Sequence, residues 1–179
     1  MKHTKVGTRL KKLGNHHMKH FLKVYIAKAD NLGNGLFAKK NIKKDEVIFI
    51  TKGVVEKGSY DPKLYDIGPN WLAIAKNTWL SPFNDNPWRY INHSCNPNTG
   101  LKGQVTVVAM KNIRKDQWIT IDYSITEADP YWKMRCMCKQ KNCRKIIRSI
   151  RFLPSRLFEK YKKYIPKFLK DGYLSHRTK

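Results

Sequence analysis

Short apolar runs dominate the first two thirds of the chain, and turn-forming residues separate them at close intervals. The runs at 21–27, 46–51, 104–109 and 118–123 are rich in β-branched and aromatic residues, and Gly, Asn, Asp or Pro stands between them. This pattern predicts short strands joined by turns. A further apolar run at 71–79 fits either a strand pair or a helix-to-strand transition. The body of the chain is therefore predicted to be mainly β.

Helical signals are confined to one short segment and to the C-terminal part of the chain. Asp85-Asn86-Pro87 is typical of a helix start, but Asn96-Pro97-Asn98 limits that helix to a few residues. Past Cys143, apolar residues recur every three or four positions, with Pro154 near the start and Pro166 splitting the run. The periodic residues are Leu157, Phe158, Tyr161, Ile165, Phe168 and Leu169. This pattern predicts a C-terminal helical extension packed on the domain.

Positive charge is concentrated at the two ends of the chain. The 179 residues include 37 Lys and Arg against 13 Asp and Glu, a net charge of +24. Residues 1–23 carry seven basic and no acidic residues, and residues 133–179 carry sixteen basic residues against Glu159 and Asp171. Such ends are typical of nucleic-acid binding, although an AT-rich source genome, which favours lysine codons, explains them equally well. The aromatic share of 12% excludes a wholly disordered basic protein.

Four segments follow from these patterns. Residues 1–20 are predicted to be a basic, disordered tail, 21–125 a β-rich domain, 126–150 a cysteine-bearing segment and 151–179 the basic helical extension. The chain contains no window of about 18 apolar residues, so no membrane span is predicted. No apolar run of signal-peptide length follows the N-terminal residues, so no Sec signal is predicted. We therefore expect no membrane partner. The expected location is the cytoplasm or nucleoid, or a host nucleus after delivery by another route.

The four cysteines all lie in the second half of the chain. Cys136, Cys138 and Cys143 form a C-x-C-x4-C cluster, and Cys95 stands 41 residues before it. Four thiolates are a common ligand set for structural zinc, and the basic residues around the cluster would offset its charge. Two disulfides, an iron–sulfur cluster or four unrelated thiols are the alternatives, but a C-x-C pair and an unsecreted chain disfavour disulfides. The spacing favours zinc.

Three motifs occur in a fixed order before this cluster. Gly33-x-Gly35 comes first, the N-H-S-C-x-P-N run at 92–98 follows, and Asp122-Tyr123 ends the last strand. Together with C-x-C-x4-C they resemble the SET-domain protein lysine methyltransferases that carry a post-SET zinc segment, over residues 22–148. The resemblance implies small curved β-sheets in which the 92–98 and 118–123 segments form a pseudo-knot. It also implies S-adenosylmethionine as cofactor.

The resemblance assigns a role to each motif residue. Glycine lets the backbone approach a ligand closely, so the 33–36 loop would offer main-chain groups to the cofactor. Ile146 or its neighbour Ile147 would cover the adenine, and Tyr123 matches the catalytic tyrosine of the family. The implied cofactor-binding residues are Gly33, Asn34, Gly35, Leu36, Asn92, His93, Tyr123 and Ile146. The implied zinc ligands are Cys95, Cys136, Cys138 and Cys143.

The chain departs from the family pattern at three positions. Thr51 stands where many members have tyrosine, and Ile121 replaces the aromatic residue that limits product size. Ile121 would leave room for added methyl groups, so we expect di- or trimethylation. Trp118 occupies a position that is commonly acidic.

The motifs predict a protein-lysine N-methyltransferase that acts on a histone or a histone-like nucleoid protein, and so on chromatin. A basic enzyme and a basic substrate repel each other, so we expect nucleic acid to bring them together. The alternative is a catalytically weakened SET scaffold whose zinc module binds nucleic acid. The intact Asn92, His93 and Tyr123 argue against that alternative.

Overall fold

The computed structural model describes residues 21–29, 33–58 and 70–177, so the basic tail predicted at 1–20 lies outside the described residues. Twelve short strands form most of the described structure. They are β1 (Val24–Lys28), β2 (Asn34–Ala38), β3 (Val47–Ile50), β4 (Gly53–Lys57), β5 (Leu72–Ala75), β6 (Thr78–Pro82), β7 (Asn92–His93), β8 (Thr99–Lys102), β9 (Thr106–Ala109), β10 (Trp118–Ile121), β11 (Lys133–Arg135) and β12 (Ile146–Arg148). The prediction of a mainly β fold is confirmed.

Three sheets share these strands. The largest has the order β1-β2-β10-β8-β9-β3, and β7 pairs with β10 outside this path. β4, β6 and β5 form a second sheet, and β11 and β12 form a two-stranded ribbon. The apolar run at 71–79 is thus a strand pair: a turn with Asn77 at φ 51° joins β5 to β6. Asparagine tolerates this left-handed conformation better than most residues, which allows the tight connection.

β10 brings the two most specific sequence motifs together. It runs parallel to both β7 and β8, so the 92–98 segment lies along its length. Asn98 accepts the Thr120 N–H through Oδ1 at 2.8 Å and donates from Nδ2 to the Trp118 carbonyl at 2.7 Å. The Ser94 N–H donates to the Ile121 carbonyl at 2.9 Å. The predicted association of these two segments is confirmed.

The two helical regions that the sequence predicts are both present, and their helices are short. A 3-10 helix spans Pro87–Tyr90, and the Asn86 side chain caps it by accepting the Trp88 N–H at 3.0 Å. The C-terminal extension contains α1 (Ser155–Tyr161) and α2 (Lys167–Arg177). No described helix has the length and apolar character that a membrane crossing requires.

The core is continuous from the large sheet into the C-terminal extension. Leu36, Ile119 and Ile121 of the sheet are fully buried in the same apolar cluster as Phe158 and Tyr161. Phe158 stacks on Tyr173 of α2 with ring centroids 3.8 Å apart. The sheet leaves room for the extension at Gly100, where an added Cβ would lie 2.5 Å from the Tyr164 Cβ. The prediction that this extension packs on the domain is confirmed.

Candidate active site

Tyr123 lies directly beyond the end of β10. Asp122 caps the 3-10 helix Tyr123–Ile125 by accepting the Ser124 N–H at 3.0 Å, and this cap ends the strand. The Tyr123 hydroxyl donates to the Ile91 carbonyl at 2.9 Å. Burial raises the pKa of Tyr123 to about 12, so its phenol stays protonated at neutral pH. The side chain is therefore a fixed, neutral hydroxyl.

Two cavities meet at Tyr123. One has a volume of about 130 Å³ and includes Asn92 and His93, the two motif residues that the sequence assigns to the cofactor. Its described lining is Asn92, His93, Tyr123, Met134, Arg135, Met137 and Cys138. The other, which we call the tryptophan cavity, has a volume of about 140 Å³. Its described lining is Asn70, Trp71, Trp88, Ile91, Tyr123, Thr126, Glu127 and Trp132.

Gly35 lies in a crowded position beside the first cavity's residues. A Cβ at residue 35 would lie 2.7 Å from Trp118 Nε1 and 2.9 Å from Asn92 Oδ1. Trp118 Nε1 donates to Asn92 Oδ1 at 3.3 Å, and the Trp118 ring stacks on Phe37. The sequence suggested no reason for a tryptophan at position 118. In the structure, Trp118 orients the carboxamide of Asn92. Only glycine at position 35 leaves room for this contact.

The remaining predicted cofactor residues differ in exposure. Gly33 has φ +78°, which favours glycine, and its carbonyl accepts the Ala29 N–H at 2.8 Å. Asn34 is exposed at the start of β2, whereas Leu36 is buried and paired between Ile26 and Ile119. Ile146 is 59% exposed, whereas Ile147 is fully buried. Ile146 is therefore the one of this pair whose side chain is available to a ligand.

The cysteines converge on the buried 92–98 segment. Cys95 Sγ and Cys136 Sγ are 3.7 Å apart, and Cys138 and Cys143 pack against this pair with Ile147. One ligand atom from each of His93, Cys95, Cys136 and Cys138 lies within 4.8 Å of the others. Burial acts to raise the pKa of the Cys138 thiol, but backbone hydrogen bonds from residues 95 and 140 lower it to about 7. Such a thiol is readily deprotonated for metal binding.

The hydrogen bonds of His93 distinguish two possible metal-ligand sets. One consists of the four cysteines, and the other has His93 in place of Cys143. His93 Nδ1 accepts the Tyr123 N–H at 3.1 Å, so its lone pair is used there. Burial lowers the pKa of His93 to about 3, so the neutral ring carries its proton on Nε2. Nε2 lies 3.5 Å from Cys95 Sγ, where a protonated nitrogen donates to sulfur and does not bind a metal. This arrangement favours the four cysteines as the set that fits zinc.

Arg144 joins the cysteine cluster to the end of β10. Its backbone N–H donates to Cys95 Sγ at 3.3 Å, and its Nη2 contacts Asp122 Oδ1 at 2.5 Å. Asp122 is fully buried, so this ion pair forms in a region of low dielectric constant. The 136–144 segment is thereby held beside Tyr123. Because Cys138 of this segment lines the first cavity, the position of the segment affects the shape of that cavity.

The two other departures from the family pattern are both buried. Ile121 is fully buried in the main core, paired with His93 across the sheet. Thr51 is 2% exposed, and its Oγ1 has no hydrogen-bond partner among the described residues. Neither residue is among the described lining of the two cavities at Tyr123.

Sequence reasoning did not identify the residues of the tryptophan cavity. Trp71, Trp88, Trp132 and Glu127 come from three separate parts of the chain and form no motif. Glu127 follows Tyr123 by four residues, and this short separation is the signal in the sequence that places Glu127 near Tyr123.

Known proteins share this architecture and its motifs. The SET-domain family model matches residues 33–124, from the glycine pair through Tyr123. Histone-lysine N-methyltransferase ASHR3 of Arabidopsis thaliana is 28% identical over 145 residues, covering 73% of this chain and 29% of the relative. Human histone-lysine N-methyltransferase 2B is 30% identical over 129 residues, covering 64% of this chain and 5% of the relative. This chain therefore spans less than a third of either relative.

Solved structures support the same fold. KRYPTONITE in complex with mCHH DNA, H3(1-15) peptide and SAH has a TM-score of 0.55 and 21% identity, covering 69% of this chain and 29% of that chain. The methyltransferase domain of human histone-lysine N-methyltransferase SETMAR has a TM-score of 0.55 and 20% identity, covering 68% of this chain and 56% of that chain. The segment 33–124 that the family model matches contains the glycine pair, the 92–98 run and Asp122-Tyr123. The chain belongs to the SET-domain family.

Proposed function

We propose that this protein transfers a methyl group from S-adenosylmethionine to a lysine side chain of a protein. The observation that carries this proposal is the position of Tyr123 in the walls of two cavities. A cofactor in one cavity and a lysine in the other would meet at the tyrosine hydroxyl. The relatives named above are histone-lysine methyltransferases, and one fold neighbour was solved with SAH, the demethylated product of that cofactor.

The cofactor would occupy the cavity beside Asn92 and His93. Trp118 Nε1 donates a hydrogen bond to Asn92 Oδ1, and this bond fixes the orientation of the Asn92 carboxamide. Exposed Ile146 offers an apolar surface for the adenine. Gly33, Asn34, Gly35 and Leu36 complete the proposed cofactor set through backbone groups.

The chain's residues would supply alignment and little acid–base chemistry. When bound, S-adenosylmethionine would supply a methyl group on a sulfonium; the lysine amine would attack the methyl carbon in line, and the thioether S-adenosylhomocysteine would leave. A free lysine has a pKa of about 10.4, so the amine must lose its proton before transfer. Tyr123, held on the Ile91 carbonyl and protonated, orients the amine and the methyl group through weak contacts.

Zinc would have a structural role in this proposal. Four cysteine ligands leave no open position for a substrate, so we infer that the ion stabilises the segment and does not take part in transfer. Cys95, Cys136, Cys138 and Cys143 would hold it.

The proposed substrate is a histone or a histone-like protein bound to nucleic acid. The enzyme carries a net charge of +24, so a free basic tail would be repelled at low salt. Nucleic acid bound by the basic termini would overcome this repulsion. The DNA and H3 peptide in the KRYPTONITE complex support substrates of this class.

The decisive experiment is transfer of labelled methyl groups to purified histones and to DNA-bound nucleoid proteins. We expect the wild type to label lysine and Tyr123→Phe to lose about a hundredfold in rate, because the amine is then misaligned. Mass spectrometry of the product reports whether mono-, di- or trimethyl-lysine forms.

Calorimetry with the cofactor separates this proposal from a nucleic-acid-binding module. Tyr123→Phe should bind S-adenosylmethionine as tightly as the wild type does, because its ring remains in place. A wild type that neither binds the cofactor nor labels any protein would refute the enzyme and favour the module.

A further inference from the structure

The tryptophan cavity contains one acidic side chain and no basic one among its described lining residues. Glu127 lines it together with Tyr123, Trp71, Trp88 and Trp132. Tryptophan faces attract cations through their π electrons, and a carboxylate attracts them by charge. The lining therefore has the composition of a site for a cation with an apolar body.

The Glu127 carboxyl has no basic partner within the described part of the chain. Its Oε1 accepts the Asp129 N–H at 2.7 Å, and none of the ion pairs formed by the described residues includes it. This is notable in a chain with 37 lysine and arginine residues. Backbone N–H groups of residues 128 and 129 stabilise the carboxylate, and a cation in the cavity would stabilise it further.

The aromatic walls are held in place by the protein. Trp88 is 6% exposed, and its Nε1 donates to the Asn70 carbonyl at 3.0 Å. Trp132 makes an edge contact with Tyr123, with ring centroids 6.4 Å apart. The backbone of Glu127 is fixed because its carbonyl accepts the Ile150 N–H at 3.0 Å. The cavity is thus formed before any ligand binds.

We propose that Glu127 is a specificity-determining residue that binds the ammonium group of the substrate lysine in the tryptophan cavity. This inference rests on the proposed function and adds a charged contact to it. The lysine enters as a cation, with its methylene groups against the tryptophans and its ammonium near the carboxylate. Mono- and dimethylammonium groups also carry a positive charge, so the same contact would bind a partly methylated lysine, which would again lose its proton before a further transfer.

The protonation state of Glu127 supports this assignment. Burial raises the pKa of Glu127 to about 7, and the nearby Asp129 carboxylate also acts in that direction. Tyr123, with a pKa of about 12, does not titrate in this range. From the 3-10 helix 150–152 packed behind Glu127, Arg151 faces solvent. Cation binding should therefore weaken as the pH falls from 8 to 6.

The test is a titration of the full chain with n-butylammonium, followed by tryptophan fluorescence and without cofactor. 1-Butanol is the uncharged comparison. We expect saturable binding of n-butylammonium alone, and about tenfold or greater loss of affinity in Glu127→Gln. The glutamine can still accept the Asp129 N–H, so the fold is preserved. Glu159→Gln removes the same charge at an exposed position and should bind as the wild type does.

The pH series distinguishes charge recognition from a structural role. Wild-type affinity should fall from pH 8 to pH 6, whereas that of Glu127→Gln should stay constant. Equal affinities of the wild type and Glu127→Gln, or no preference for n-butylammonium over 1-butanol, would overturn the inference. Because this titration needs no methyl transfer, its failure is distinct from failure of the labelling experiment.

Discussion

Very close contacts between single residues determine the geometry beside the proposed cofactor cavity, the one lined by Asn92 and His93. Gly35 shows this most clearly, because Trp118 and Asn92 occupy the space that a side chain at residue 35 would need. The Trp118 indole in turn fixes the Asn92 carboxamide. Three residues from three strands therefore act as one unit, and a change in one displaces the others.

Gly35→Ala is expected to weaken cofactor binding. The added Cβ would lie under 3.0 Å from both Trp118 Nε1 and Asn92 Oδ1, so the hydrogen bond between them must break or shift. We expect about a tenfold loss of S-adenosylmethionine affinity, equivalent to the loss of one hydrogen bond. Calorimetric titration measures it.

Gly172→Ala is the matched control for this substitution. Gly172 lies within α2, and nothing stands within 4 Å of an added Cβ. Alanine should stabilise the helix by about 0.5–1 kcal/mol and leave cofactor affinity unchanged. If both glycine variants bind the cofactor as the wild type does, the crowding at Gly35 has no functional role.

At the scale of elements, the cysteine-bearing segment and β10 depend on each other. Arg144 contacts Cys95 through its backbone and Asp122 through its guanidinium. The four thiols are distant in sequence, yet they pack around the buried Cys95. Metal binding at this cluster would therefore stabilise the wall of the cofactor cavity as well as the segment itself.

Zinc content distinguishes the two possible ligand sets. Cys143→Ser should lose the ion to a competing chelator, because three thiolates do not complete a tetrahedral site. His93→Asn should retain one zinc ion per chain, because His93 is bonded to the Tyr123 backbone and donates to Cys95. Elemental analysis of the folded proteins provides the measurement. Zinc loss in His93→Asn with retention in Cys143→Ser would assign the histidine as a ligand.

At the scale of the whole molecule, one core unites the SET-type body and the C-terminal extension. Phe158 and Tyr173 belong to the same buried cluster as residues of the large sheet. Tyr164 reinforces the docking by donating its hydroxyl to Asp45 Oδ1 at 2.7 Å. We therefore expect the body and the extension to unfold together.

Phe158→Ala should destabilise the entire domain. Phe158 is 1% exposed, so the substitution leaves a cavity and should lower the free energy of unfolding by about 3–5 kcal/mol. Leu174→Ala, at a half-exposed position of α2, should cost about 0.5 kcal/mol or less. Denaturant unfolding followed by tryptophan fluorescence and by circular dichroism checks both values. Two separate transitions in the wild type would show that the extension unfolds independently.

Local sequence patterns determined the secondary structure and the identity of the chemistry. Strand-forming runs, the Asn86-Pro87 helix start and the periodicity of the extension depend on neighbouring residues, so they could be read directly. The family and its expected cofactor were likewise indicated by local motifs: the run at 92–98, Asp122-Tyr123 and the cysteine spacing. The assignments of individual site residues, including Cys143 as a ligand, stay predictions.

Only the tertiary structure decided which distant residues meet. The Trp118 contact to Asn92, the hydrogen bonds that set the His93 tautomer, and the position of Glu127 among three tryptophans all join separate segments. Spacing along the chain contains no record of such contacts, because side-chain direction and strand order arise only when the sheets pack. The net charge of +24 is visible in the sequence, but only the fold shows that Glu127 lines a cavity and has no basic partner among the described residues.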